Sequence, residues 1–428
     1  MPSPLLIQSG RVVSPADDLD ALLDVLVEDG LIREVGPGLH RRAGRVIDAR
    51  GQIVAPGFID LHVHLREPGG EESETLETGL SAAVAGGFTA VCPMPNTSPT
   101  TDRPELTSAL VARAGEIGLA RVFPIAAVSM GSAGETLTDF RALTAAGAVA
   151  FSDDGRPVKT AGLMKAAMET ARELDVPVIE HCEDPSLTAG GVVNAGAVAG
   201  KLGVKGVPAA SEEVCLARDL VLAEATGAHL HVAHLSTAGS VELVRAARRR
   251  GVRVTAEVTP HHFVLTDEAV LQCGTNAKMN PPLRGARDVD AVLAGLADGT
   301  IDAIATDHAP HAPRLKARPL SEAPFGVTGL ETALGLAMTF LVHPGRISIG
   351  QLVTLLSVNP ARIINQPLGR LSVGSVADVT IFDPEREWVY RVEESRSKSR
   401  NSPFEGWKLK GCVTATIVAG KLVYERAG

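Results

Sequence analysis

From Gly57 onward, apolar runs of strand length alternate with Ala- and Leu-rich segments of helical period, and this alternation confines the chain to a parallel sheet wrapped by helices. Eight candidate strands fall at 58–65, 88–94, 121–128, 148–152, 176–181, 229–235, 252–258 and 301–306. Helices are expected between them at 77–85, 105–117, 162–174, 212–226, 240–250 and 289–297. Eight such repeats predict an α/β fold, a closed (β/α)8 barrel of the TIM type with its active site at the C-terminal ends of the strands. A doubly wound open sheet is the alternative, but polar residues end too many of these strands to share one switch-point crevice.

The chain ends read differently. Short strands and turns fill 4–55, and short strands return at 378–382, 413–418 and 421–424 once the helical pattern fades after Asn365. The expectation is a barrel over 56–365, flanked by one small discontinuous β-sandwich built from residues 1–55 and 366–428. Its N-terminal part reads as antiparallel. The polar segment 393–402 reads as a loop, and the Arg-, Lys- and Pro-rich stretch 311–325 as a mobile lid.

Composition narrows the function classes. With 45% hydrophobic and 21% charged residues the chain is an ordinary globular sequence, and a net charge of −9 argues against nucleic acid or an anionic membrane as partner. Cys92, Cys182, Cys215, Cys273 and Cys412 form no C-x-x-C, which suggests buried thiols in a reducing compartment. No apolar run is long enough to span a bilayer. The N-terminal residues lack the basic and long apolar regions of a secretory leader, so a cytoplasmic enzyme is expected.

The first candidate strand, Phe58-Ile59-Asp60-Leu61, leads into His62-Val63-His64. Residues two apart on a strand share a face, so both imidazoles converge, and convergent neutral imidazoles grip a borderline metal such as zinc. One His-x-His is more often a surface feature. Here the fourth strand ends in Asp153-Asp154, the fifth in Glu180-His181, the sixth in His234 and the eighth in Asp307. Six donors exceed what one tetrahedral zinc needs, and two zinc ions roughly 3.5–4 Å apart would use them all. His62, His64 and Asp307 are assigned to one ion and His181 and His234 to the other, with Asp154 as the bridge. Asp153 competes for the bridge, but adjacent strand residues face opposite ways and Asp154 lies closer to the loop end. One zinc per chain is the alternative. Such a metal would lower the pKa of bound water to about 7. Asp307 could also carry a proton to a leaving nitrogen; a pure ligand role is the other reading.

Arg66 follows the His pair by two residues, and its planar fork suits a carboxylate. Asn96, Asn280 and His311 lie in loops after strand ends and become plausible substrate contacts as a set. His261 and His262 read as supporting or packing groups. His229 and His231, early in the sixth strand, read as structural.

These residues resemble a known family. His62-Val63-His64-Leu65-Arg66-Glu67-Pro68-Gly69 and Ala305-Thr306-Asp307-His308-Ala309-Pro310-His311 resemble the two signatures of the dihydroorotases, in the longer bacterial class (class I) of the cyclic amidohydrolases. Pro93-Met94-Pro95-Asn96-Thr97, Thr259-Pro260-His261-His262 and Asn280-Pro281-Pro282-Leu283-Arg284 are similar to that class as well. The resemblance covers nearly the whole chain. It implies reversible, zinc-dependent conversion of N-carbamoyl-L-aspartate to (S)-dihydroorotate in pyrimidine synthesis. It implies that Arg66, Asn96 and His311 hold the substrate carboxylate, that Asn280 and the backbone near Phe325 and Gly326 hold the ring, and that His64 borders the substrate as well as the metal. Many cyclic amidohydrolases bridge their metals with a carboxylated lysine after the fourth strand. Phe151-Ser152-Asp153-Asp154 has no lysine, which counts against a hydantoinase or allantoinase. Some chains of this family are non-catalytic partners of aspartate carbamoyltransferase and lack the metal histidines; here all four are present. The resemblance leaves a complex with that transcarbamoylase, and a homo-oligomer, as further expectations.

Overall fold

The computed structural model describes residues 4–39 and 44–427. Residues 1–3, 40–43 and 428, which belong to the expected flanking unit and to the stretch read for a leader, lie outside the described residues. The barrel strands are Phe58–Val63, Phe88–Pro93, Arg121–Val122 continued by Ile125–Ala126, Ala150–Phe151, Val178–Glu180, Leu230–Val232, Val254–Val258 and Ala303–Ile304. Every neighbouring pair is parallel. The ring closes where Val63 bridges His308 in parallel and the His64 N–H donates to the His308 carbonyl at 2.8 Å. The third strand is split at Pro124, which has no N–H to give to a ladder. All six residues of Phe58–Val63 are buried, as a strand covered on both faces requires.

Each of the six expected helices is present and begins earlier than expected, for example at Leu76, Ala161 and Ala238. The start of these helices is set by caps rather than by apolar periodicity. Thr75, Thr160 and Thr237 accept from the backbone N–H three residues on. The strands are shorter than expected. The sixth ends at Val232 because His234 turns out of the ladder with φ 31°.

Both chain ends enter one eight-stranded sheet, in the order Lys421–Glu425, Lys408–Val418, Val379–Val389, Ile53–Pro56, Leu5–Ser14, Leu19–Glu28, Leu31–Gly36, with Arg45–Asp48 also on Leu5–Ser14. Ile53–Pro56 joins the two ends by pairing antiparallel with Val379 to Phe382. The expectation of a wholly antiparallel N-terminal part is corrected: Arg45–Asp48 and Ile53–Pro56 run parallel to successive halves of Leu5–Ser14. The sheet encloses its own core, including Ile7, Val25, Ile32, Val54, Ile381 and Ile417. The five cysteines are unpaired. No helix among the described residues is long and apolar enough to cross a membrane.

Candidate metal centre and substrate cavity

Six side chains from the C-terminal ends of five barrel strands meet at one point. His64 Nε2 lies 3.0 Å from Asp307 Oδ1, and His62 Nε2 lies 3.7 Å from that oxygen. Asp154 Oδ1 is 3.5 Å from His62 Nε2 and 3.7 Å from both His181 Nδ1 and His234 Nε2, while its Oδ2 faces His64 Nε2 at 3.6 Å. Asp154 thus stands between the two halves of the cluster. Asp153 turns the other way and accepts from the N–H and hydroxyl of Ser129. Arg66, His234 and Asp307 all adopt left-handed backbone, with φ of 61°, 31° and 45°. Such conformations cost of order 1–3 kcal/mol each and persist where surrounding structure imposes them.

The far nitrogens of the histidines decide which atoms face inward. His62 Nδ1 lies 2.9 Å from Glu257 Oε1, His64 Nδ1 lies 2.9 Å from Asn96 Oδ1, and His181 Nε2 lies 3.0 Å from Glu183 Oε2. These oxygens accept, so the facing nitrogens carry the protons. Lone pairs on His62 Nε2 and His64 Nε2 therefore converge with two carboxylates, while the lone pair of His181 Nδ1 meets His234 Nε2 at 2.9 Å. Among the described residues, His62 Nε2 and Asp154 Oδ1 are buried without a hydrogen-bond partner. Converging nitrogen and carboxylate donors, two of them unpartnered, fit a divalent cation, and the N/O set suits zinc.

The polar support behind these ligands was only partly visible in the sequence. Glu257, fully buried in the seventh strand, joins His62 to His231 Nε2 at 3.0 Å. His231 Nδ1 reaches Thr255 Oγ1, which also meets His229 Nε2, both at 2.8 Å. His231, read as merely structural, is thus two hydrogen bonds from a metal-type donor. The available signal was a carboxylate inside the apolar run Val254–Val258. Glu183 also went unnoticed, although it lies two residues past His181; it accepts from Asn280 Nδ2 at 2.7 Å. His262 bonds Thr259 Oγ1 and the Pro281 carbonyl, and burial keeps both His261 and His262 neutral.

Above the cluster opens a cavity of about 300 Å³, lined by His64, Arg66, Asn96, Asn280, His311, Phe325 and Gly326 together with Asp154, His181, His234 and Asp307. Burial lowers Arg66 to about 10, so it stays cationic, and its Nε donates to the Pro310 carbonyl at 3.1 Å. Burial, with Arg66 nearby, lowers His311 to about 3. The neutral His311 donates from Nε2 to the Phe325 carbonyl at 2.7 Å. That leaves the Arg66 terminal nitrogen, 3.3 Å from the same Nε2, without an acceptor there. One edge of the guanidinium is free to take an anion. Asn96 spends its amide on His64 and on Asp154 Oδ2, at 3.3 Å for the latter. The stretch read as a mobile lid is tied down here. Lys278 Nζ donates to the Leu320 and Ala323 carbonyls at 2.6 Å each, and Lys316 Nζ to those of Pro324 and Gly326 at 3.0 and 2.9 Å.

A parallel barrel with four imidazoles and two carboxylates at its strand ends, beside a sheet shared by both chain ends, defines the amidohydrolase class. Residues 164–424 match the amidohydrolase family and residues 51–240 the dihydro-orotase-like family. The dihydroorotase of Citrifermentans bemidjiense is 51% identical over 98% of this chain and 99% of its own length. That of Pelotomaculum thermopropionicum is 52% identical over 98% of each. The chain belongs to the dihydroorotase family. Among solved structures, an L-hydantoinase (dihydropyrimidinase) from Arthrobacter aurescens superposes with a TM-score of 0.89 at 27% identity, covering 99% of this chain and 96% of that one. A D-hydantoinase from Thermus sp. superposes with a TM-score of 0.84 at 28% identity, covering 98% and 95%.

Proposed function

We propose that this protein is a cytoplasmic dihydroorotase that interconverts N-carbamoyl-L-aspartate and (S)-dihydroorotate, the ring closure of pyrimidine (UMP) synthesis. One observation carries the reading: a guanidinium with a free edge shares a cavity with five of the converging metal-type donors, His64, Asp154, His181, His234 and Asp307, and His62 groups with them behind the wall. The full-length similarity to dihydroorotases supports it. His62, His64 and Asp307, whose donor atoms form one close group, would hold one zinc. His181 and His234 would hold the second, with Asp154 between them; a single zinc is the alternative. When bound, the metal supplies polarisation of the amide carbonyl and acidification of water near neutral pH.

The chain's own residues do the rest. Arg66 grips the substrate carboxylate with its free edge, and His311 and Asn96 border the same end. Asn280, whose Nδ2 is held by Glu183, borders the ring in the cavity together with Phe325 and Gly326. Asp307 would take a proton from the water whose oxygen bonds to the ring carbonyl carbon and pass it to the ring nitrogen as the C–N bond breaks; in synthesis the order reverses. The flanking unit, residues 1–55 with 366–428, meets the barrel of 56–365 where Thr380 Oγ1 donates to the Gly87 carbonyl at 2.6 Å and accepts from the Phe58 N–H at 3.3 Å.

A substrate panel tests the function. Hydrolysis of dihydroorotate and cyclisation of carbamoyl-aspartate are expected; turnover of hydantoin or allantoin without dihydroorotate would move the protein to the activities of its structural neighbours. Metal removal tests the centre. About two zinc per chain, and loss of turnover on chelation that added zinc restores, are expected. One zinc with full activity would leave the second assignment without support, and metal without turnover would favour a non-catalytic partner of aspartate carbamoyltransferase. Association with that enzyme and self-association are checked by a size measurement on mixing. Arg66→Lys replaces a bidentate fork by a point charge and is expected to raise KM about 10-fold or more. Unchanged kinetics would remove Arg66 from the substrate site.

A further inference from the structure

The segment 395–402, Ser-Arg-Ser-Lys-Ser-Arg-Asn-Ser, has the composition of a solvated loop, yet it alternates. Arg396 and Lys398 are exposed, whereas Ser397, Ser399 and Asn401 are 1%, 1% and 3% exposed. Alternating burial marks a strap with one face packed, although the backbone bends at 396–398. Its packed face runs along the loops at the barrel mouth. Ser397 Oγ and the Lys398 N–H donate to Glu74, and Ser399 Oγ donates to the Ser73 carbonyl at 2.6 Å. Asn401 then reaches the loops that border the cavity. Its Nδ2 donates to the carbonyls of Ala309 and Gly326, both at 3.0 Å, and its Oδ1 accepts from the His311 N–H at 3.0 Å. Its own carbonyl accepts from the Thr328 N–H at 2.9 Å.

We propose that Asn401 is a positioning residue that sets the spacing of the 309–311 and 325–328 loops, and with it the substrate end of the cavity. It does not line the cavity itself. The inference rests on the reading of His311, Phe325 and Gly326 as substrate contacts. Two carbonyls and one N–H must be met by a single planar group with two donors and an acceptor, which is what a primary amide offers. The loops have no slack. Gly326 has φ +140°, and a Cβ there would lie 2.7 Å from the Ala309 carbonyl oxygen and 2.9 Å from His311 Nε2. His311 is fixed at its backbone by Asn401 and at its ring by the Phe325 carbonyl, so a shift of either loop moves both. The strap belongs to the C-terminal part of the chain, so this contact ties the flanking sheet to the mouth of the barrel.

The test compares wild type with Asn401→Asp, which keeps the shape but turns donors into acceptors facing two carbonyls, and with Asn401→Ala. KM, kcat, metal per chain, Tm and calorimetric binding of dihydroorotate are measured on each zinc-loaded protein. The expected result is a KM and a Kd raised about 10-fold or more, since small displacements of positioning groups are costly. Metal content should stay at the wild-type level and kcat within about 3-fold, because the metal-type donors are not touched. Unchanged KM and Kd in either variant overturns the proposal. Loss of metal or of the fold in both variants also overturns it, in favour of a purely structural role. Wild type that binds dihydroorotate without turning it over defeats the functional reading alone, and the Kd comparison then still decides the role of Asn401. Wild type that neither binds nor turns it over defeats both.

Discussion

Asp307→Asn is expected to lower kcat by about 1,000-fold or more while dihydroorotate still binds, with activity measured at saturating zinc. The substitution is isosteric, so the cavity and its Arg66 edge persist. It removes the one carboxylate that stands both in the His62–His64 donor group, 3.0 Å from His64 Nε2, and on the wall of the substrate cavity. An amide cannot take up a proton near neutral pH, so the transfer to the ring nitrogen loses its carrier. An amide oxygen can still ligate, more weakly, so metal content separates the two roles of the residue. A variant that keeps wild-type metal and loses turnover locates the loss in the proton transfer. A metal-replete variant retaining more than about one-tenth of wild-type kcat would leave Asp307 as a ligand only.

The second large effect is expected at Glu257, which touches no cavity. Glu257, His62 and His231 are each 0% exposed. Burial acts to raise the Glu257 carboxyl, but hydrogen bonds from His231 and His62 outweigh it and hold it at about 2, so the group is an anion. Glu257→Ala strands two imidazole N–H groups in a dry barrel interior. Breaking a buried charge-assisted network in this way costs about 3–5 kcal/mol, a large share of the roughly 5–15 kcal/mol that stabilises a typical domain. His62 also loses the partner that keeps its proton on Nδ1 and its lone pair on the metal side. Metal affinity should therefore fall about 10- to 100-fold. Glu257→Gln should be milder, because its carbonyl oxygen can still accept from His62 while His231 changes tautomer. Thermal unfolding and zinc titration together check this. Wild-type Tm and zinc affinity in Glu257→Ala would show that the orientation of His62 is set elsewhere.

The metal-type donors could be read from the sequence for a specific reason. Each sits within a few residues of an apolar run long enough to be a buried strand, and a parallel barrel places all such strand ends on one face. Strand alternation required that only one of Asp153 and Asp154 point inward, and Asp154 was preferred as the nearer to the loop end; the structure turns Asp154 to the histidines and Asp153 to Ser129. Their supporting groups had no such local signature. Glu257 meets His62 across 195 residues of chain, and Asn401 meets His311 across 90. The segment 395–402 is a loop, as read, but its polar composition gave no sign that one face of it is buried. Tightly turned loops, however, bury backbone carbonyls and N–H groups that only polar side chains can satisfy. The parallel pairing of Arg45–Asp48 and Ile53–Pro56 with Leu5–Ser14 was equally hidden, since alternation marks a strand but not its direction.

What the sequence alone determined is therefore what depends on near neighbours along the chain: the βα alternation, the caps, the apolar strands and the donors at their ends. Tertiary structure alone decided which nitrogen of each histidine faces inward, where the free edge of Arg66 points, and what clamps the loops of the cavity. Those are properties of hydrogen-bonded pairs far apart in sequence, and a buried polar group takes the partner that folding brings within about 3 Å of it, whatever the distance along the chain.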